Sequence, residues 1–148
     1  MSSDRPDPFD LKRFVRAQES DYKRALAEIA AGRKRSHWMW YIFPQFAGLG
    51  LSSTSQYYAI GTLDEARAYL AHPTLGPRLI ECAEATLTVK DRSAHDIFGS
   101  PDDMKLQSSV TLFSLVLPEN PVFHRVLEKY FEGKRDERTL DLVGKRSG

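Results

Sequence analysis

The sequence predicts an all-α fold, a single compact orthogonal helical domain of about six to eight helices. Two observations carry that prediction. Apolar residues recur at the i, i+3, i+4, i+7 spacing that gives a helix one buried face. Helix-start signals, a hydroxyl or amide residue followed by proline or an acid, recur along the chain with short turns between them. The length of 148 residues fits one ordinary domain, which at this size buries roughly 70% of its unfolded surface without a disulfide or metal staple. No internal repeat, low-complexity tract or long linker divides it. Residues 1–8 read as a disordered N-terminal arm, 9–143 as the helical domain and 144–148 as a C-terminal tail.

Taken in order, Leu11, Phe14, Val15 and Gln18 form one face of a first helix from Phe9. Asp21 then reads as the N-cap or first-turn residue of a second, whose stripe is Tyr22, Ala25, Leu26, Ile29 and Ala30, with Gly32 at the C′ position. Thr62-Leu63-Asp64-Glu65 is a capping box, opening a helix through Tyr69 and Leu70 that stops before Pro73. Leu75, Leu79, Cys82, Ala83 and Thr86 stripe a helix from about Thr74 to Leu87. Ser100-Pro101-Asp102-Asp103 supplies an N-cap, an N1 proline and two first-turn acids. The helix it opens becomes apolar on every side from Val110 to Leu117, which marks a central helix, although its β-branched residues leave a buried strand as a rival. Asn120-Pro121 starts a stripe of Val122, Phe123, Val126, Leu127, Tyr130 and Phe131 ending at Gly133, and a short last helix spans Asp136 to about Val143.

Hydrophobic residues make up 41% and charged residues 28%, with a formal net charge of +1 and a pI of about 7.9. That balance argues against nucleic acid as a partner. One cysteine, Cys82, excludes an intrachain disulfide and suits a reducing compartment. No apolar h-region follows the N-terminus, and no run approaches the roughly 20 residues of a membrane helix. The cytoplasm is expected. His37, His72, His95 and His124 lack metal-ligand spacing, and no nucleophile elbow, phosphate loop or dinucleotide fingerprint occurs, so neither metal nor cofactor is expected.

Residues 36–62 contain no Asp, Glu, Lys or Arg, where overall composition would place about seven. Both tryptophans, three of the six tyrosines and two of the eight phenylalanines lie there. Two readings compete. In one, the aromatics of His37 to Phe43 plug the core and Gly48 to Ser55 is a tight connector. In the other, the segment lines a ligand pocket. Arg33 and Arg35 would meet an anion, His37, Trp38, Trp40, Tyr41 and Gln45 would supply faces and polar groups, and amides near Gly48, Gly50, Ser52 and Ser53 would bind phosphate at a helix start. A second candidate is Ser93-Ala94-His95-Asp96-Ile97-Phe98-Gly99, followed by Asp102, Asp103 and Lys105. Buried beside Ile97 and Phe98, Asp96 would have a raised pKa suited to acid–base work. Otherwise it caps a turn. Ser108 and Ser109 would satisfy one another inside the bundle.

Gly32 to Gln45 with Gly48-Leu49-Gly50-Leu51-Ser52, then Tyr58-Ala59-Ile60, Tyr69 to Pro73, Phe98 to Lys105 and Ser108 to Phe113, resembles a small bacterial family known as domain of unknown function 1810. The resemblance covers about residues 9–143 and implies an all-α fold without supplying a reaction. Some members are called calpastatin after an animal protease inhibitor, but that inhibitor is a disordered repeat protein, and this chain is neither disordered nor repetitive. More remotely, the helix Leu75–Leu87 followed by Asp96-Ile97-Phe98-Gly99 looks like part of the NADAR superfamily, whose turn is Asp-x-Trp-Gly. Its characterised members are N-glycosidases acting on ADP-ribosyl or ribosylated heterocycle substrates. Here Phe98 stands in place of the tryptophan, and that group's glutamate motif has no counterpart.

These observations lead to a small-molecule expectation. A ribosylated or nucleotide-like ligand would stack on Trp38, Trp40 or Tyr41, with its phosphate on Arg33, Arg35 and the Gly50–Ser53 amides. N-glycosidic hydrolysis through Asp96, without metal, is the chemistry expected of an enzyme here. The rival is a non-catalytic interaction module whose aromatic segment forms a homodimer or partner surface.

Overall fold

The computed structural model describes residues 6–147, which form nine helices and no β-strand. Six helices are long: α1 (Lys12–Ala30), α4 (Leu63–Ala71), α5 (Leu75–Thr88), α7 (Asp102–Val116), α8 (Val122–Phe131) and α9 (Glu137–Ser147). Three are single turns, α2 (Met39–Ile42), α3 (Ser53–Tyr57) and α6 (Ala94–Phe98). Among the described residues no helix is long and apolar enough to cross a membrane.

The expected break at Asp21 does not occur. Glu19, Ser20 and Asp21 all tolerate helix, and buried Phe14, Gln18, Ala25 and Ile29 continue one stripe through all 19 residues of α1. Asp21 instead uses its carboxylate on the Tyr41 hydroxyl and on Arg24. Asp7, within the expected arm, accepts from the Leu11 and Lys12 amides at 2.8 and 3.1 Å at the start of α1. Residues 1–5 lie outside the described residues. At the other end α9 runs on through residues 144–147, where a tail was expected.

The apolar run of α7 is helical. Leu106, Ser108 to Ser114 are buried as the helix packs against α4, α6, α8 and α9. Its hydroxyls do not pair with each other: Ser108 Oγ donates to the Met104 carbonyl and to Asp136, and buried Ser109 Oγ has no partner among the described residues. Thr62 caps α4 as expected, accepting from the Glu65 amide at 3.0 Å. Glu65 reaches the Gly61 amide rather than that of Thr62, and spends its other oxygen on Arg13. Pro101, rather than Ser100, takes the N-cap of α7.

The core sits where α1, α5, α7 and α8 meet the aromatic segment. Trp38, Tyr69, Phe14, Phe43, Phe46, Phe113 and Phe123 are its largest fully buried side chains. Residues 46–60 form a loop pinched shut by a two-bond bridge, Ala47 N to Ile60 O at 2.8 Å and Ile60 N to Gln45 O at 2.9 Å.

Helices α4 and α5 approach each other at Gly76, where an added Cβ would collide with the Leu70 carbonyl oxygen. That atom is backbone and cannot swing away. Gly76→Ala is expected to destabilise the fold by about 1–3 kcal/mol. Urea denaturation with an unchanged midpoint would contradict the close approach.

Candidate functional site

The loop between α1 and α2 is held by one carboxylate. Glu28, a turn from the end of α1, accepts from Arg35 N at 2.8 Å, Ser36 N at 3.0 Å, Ser36 Oγ at 2.7 Å and Trp38 Nε1 at 2.9 Å. Its backbone carbonyl also accepts from Arg33 N at 3.0 Å. Partial burial pushes the Glu28 carboxyl up, but the hydrogen bonds from Ser36, Arg35 and Trp38 outweigh it and hold the group at about 2, well below its ordinary 4.5.

Side chains then alternate along the loop. Lys34 points inward with 7% of its side chain exposed, pairs with Asp102 at 2.9 Å and lies 5.0 Å from the Trp38 ring centre. Arg33 and Arg35 are exposed and, among the described residues, make no side-chain hydrogen bond or ion pair. They line an open groove of about 570 Å³ with Arg24, Arg92, Glu28, Ala27 and Ala31, a size that suits a small ligand. Arg92 is fixed to the groove wall, its Nε donating to Gly32 O at 2.8 Å and its Nη2 to Asp96 O at 3.0 Å. Gly32 makes that approach possible. Its φ is +77°, and a Cβ there would lie 3.1 Å from Arg92 Cδ.

The aromatic segment behaves differently. Trp38 is fully buried, edge-on to Phe98 at 6.3 Å between ring centres, with its N–H satisfied by Glu28. It is core. Tyr41 is buried, and its hydroxyl is raised by desolvation and by the hydrogen bond to Asp21. Phe98 is buried against Trp38 and Phe43. Trp40 lines a cavity with Gln45, Phe46, Gly48, Gly50, Ser55 and Tyr58, while Lys105 Nζ sits 5.2 Å over its ring and 3.5 Å from Asp102. That cavity measures about 10 Å³, room for one water and no base. It shares no lining residue with the arginine groove. Ser52 and Ser53 are exposed at the start of five-residue α3, where Ser52 Oγ already accepts from the Ser55 amide. His37 is exposed and stands outside both cavities.

Asp96 is exposed, so the burial that would raise its pKa is absent. It occupies the N3 position of a capping box with Ser93, accepting from Ser93 N at 3.0 Å while its own amide donates to Ser93 Oγ. Those hydrogen bonds, the backbone one first, hold its carboxyl below the usual range. The geometry is that of a turn residue. Sequence reasoning missed Arg24, Glu28 and Arg92. The side-chain contacts of Glu28 and Arg92 to the loop span 7 to 60 residues, and no local spacing encodes them.

The chain matches, over residues 8–143, the model of a family described as protein of unknown function DUF1810. It belongs to that family. A conserved hypothetical protein of Mycobacterium tuberculosis, Rv1873, known from a crystal structure, is 51% identical and superposes with a TM-score of 0.92 over 93% of this chain and 99% of its own. No curated protein matches the chain.

Two outcomes follow from the clasp. The stability contributed by Glu28 is present above its ordinary value near 4.5 and is lost as pH falls towards 2. Wild type and Glu28→Gln should therefore differ by a constant amount in denaturation midpoint at neutral pH, with the gap narrowing as pH falls below about 4.5 and closing towards pH 2; a pH-independent gap would contradict the assignment. Trp38→Ala should cost about 3–5 kcal/mol, and Trp40→Ala clearly less, as measured by urea titration.

Proposed function

We propose that this DUF1810-family protein binds a small phosphate-bearing molecule in the groove formed by the end of α1, the Arg33–Arg35 loop and Arg92. One observation carries this reading: two exposed guanidinium groups, with no partner among the described residues, stand on a loop that Glu28 fixes through side-chain hydrogen bonds. Guanidinium forks match phosphate oxygens in pairs, and a loop already ordered loses little entropy on binding. The organic part of the ligand would lie on Ala27 and Ala31, small residues one turn apart on the groove floor. Stacking on Trp38 or Tyr41 has no access, since both are buried. Asp96 stands near the rim, its carbonyl holding Arg92, but its carboxylate serves the cap, so the reading is one of binding without hydrolysis. We place the protein in the cytoplasm, a compartment that suits its single, buried cysteine.

A second reading rests on Leu51 and Tyr57, 90% and 56% exposed on the 46–60 loop. They would give a homodimer or partner contact. Sedimentation at rising protein concentration tests it, a constant monomer mass counting against it.

Thermal denaturation against a panel of phosphorylated metabolites and their dephosphorylated counterparts tests the first reading. A binder at 100 times its Kd stabilises by about 2.7 kcal/mol, a shift of several degrees. The shift should appear only with the phosphorylated member of a pair and vanish in Arg33→Ala/Arg35→Ala. Equal shifts for both members would overturn it.

A further inference from the structure

We infer that the groove is built for a diphosphate group, two linked phosphoryls held together, rather than for a single phosphate; this rests on the phosphate reading above and specifies it. The alternation along the loop is the ground. Lys34 is turned inward by its ion pair with Asp102, and its backbone N–H donates to Ile97 O at 2.7 Å, which ties the loop to α6. With Lys34 fixed inward, Arg33 and Arg35 both face the groove. Their Cα atoms, two residues apart, can be separated by no more than about 7 Å, so two long side chains reach adjacent phosphoryl groups from one short stretch of backbone.

Charge points the same way. Four guanidinium groups line the groove against one carboxylate, which is already occupied by the loop's own donors; with Arg24 paired to Asp21, Arg33, Arg35 and Arg92 carry the surplus. Arg92 is tethered through Nε and Nη2, which leaves Nη1 as a further donor at the groove. A single phosphate carries a charge of about −1.5 to −2 at neutral pH, less than the combined charge of Arg33, Arg35 and Arg92. The second phosphoryl of a diphosphate brings the balance closer and places acceptor oxygens across a longer span, within reach of both loop arginines. A nucleic-acid strand also offers successive phosphates, but the near-neutral chain favours a small ligand.

Isothermal titration with inorganic phosphate, pyrophosphate and a twelve-residue single-stranded oligonucleotide, at fixed ionic strength, tests the inference. Wild type should bind pyrophosphate at least tenfold more tightly than phosphate. Arg33→Ala and Arg35→Ala should each reduce that ratio to within about threefold while leaving the melting temperature unchanged, as befits exposed side chains without protein contacts. Equal binding of the two anions would overturn the diphosphate inference and leave the phosphate reading standing. No binding of either anion would remove both. Tighter binding of the oligonucleotide than of pyrophosphate would overturn the inference in favour of a strand-binding groove.

Discussion

The Glu28 carboxylate is the constraint on which the rest of this end of the molecule depends. It lies near the end of α1 and takes its donors from three consecutive features of the chain that follows: the Arg35 amide, the Ser36 amide and hydroxyl, and the Trp38 indole. The last bond lets the largest side chain of the core be buried without an orphaned N–H, whose desolvation would cost about 1–3 kcal/mol. The first fixes the peptide from which Arg35 projects. One acid therefore couples the packing of the core to the shape of the surface groove, and neither can shift without the other.

Glu28 is the last of a row. Arg13, Gln18 and Asp21 also leave α1 for the aromatic segment, Arg13 donating to the Tyr57 and Ala59 carbonyls, Gln18 to the Tyr41 carbonyl and Asp21 accepting from the Tyr41 hydroxyl. This explains why residues 36–62 carry no charge of their own. The segment folds as non-repetitive chain with many backbone groups outside helical ladders, and those groups need partners. The partners are imported from a helix whose charged side chains are already ordered. A charge in place of Phe43, Phe46 or Ile60 would be buried where nothing offsets its desolvation.

Much of the fold was legible because it is local. The cap at Thr62, the acids at Asp102 and Asp103 and the stripe of α8 each act within one or two turns of chain, and all lie where the periodicity placed them. The misreading at Asp21 has a physical source: an acid suits a helix start and a helix interior facing a tyrosine hydroxyl, and only the tertiary partner tells them apart. Asp96 is the same case in reverse. Its apolar neighbours Ile97 and Phe98 suggested burial, yet on a one-turn helix they face the core while Asp96 faces water. The aromatic run was seen as unusual, and Arg33 and Arg35 beside it lie exposed along a groove. Which tryptophan is core followed from Glu28, ten residues upstream of Trp38 on another element, and no spacing rule reaches it.

The inward lysine completes the logic. A buried ion pair such as Lys34–Asp102 is a weak source of stability, because desolvating both charges offsets most of their attraction. Its value here is registry. Were Lys34 free to exchange places with a neighbour, the loop could turn one arginine into the core and present one outward, and the groove would lose half its unpaired charge. Asp102 accepts Lys34 and also lies near Lys105, so its charge is spent on lysines of the interior and not on the arginines of the groove. The surplus of positive charge outside is thus maintained by where the acids sit: Glu28 facing backbone and indole donors, Asp102 facing lysines, Asp96 facing its own cap. Asp21 takes Arg24, and Arg33 and Arg35, without a side-chain partner among the described residues, are left for an anion from solution.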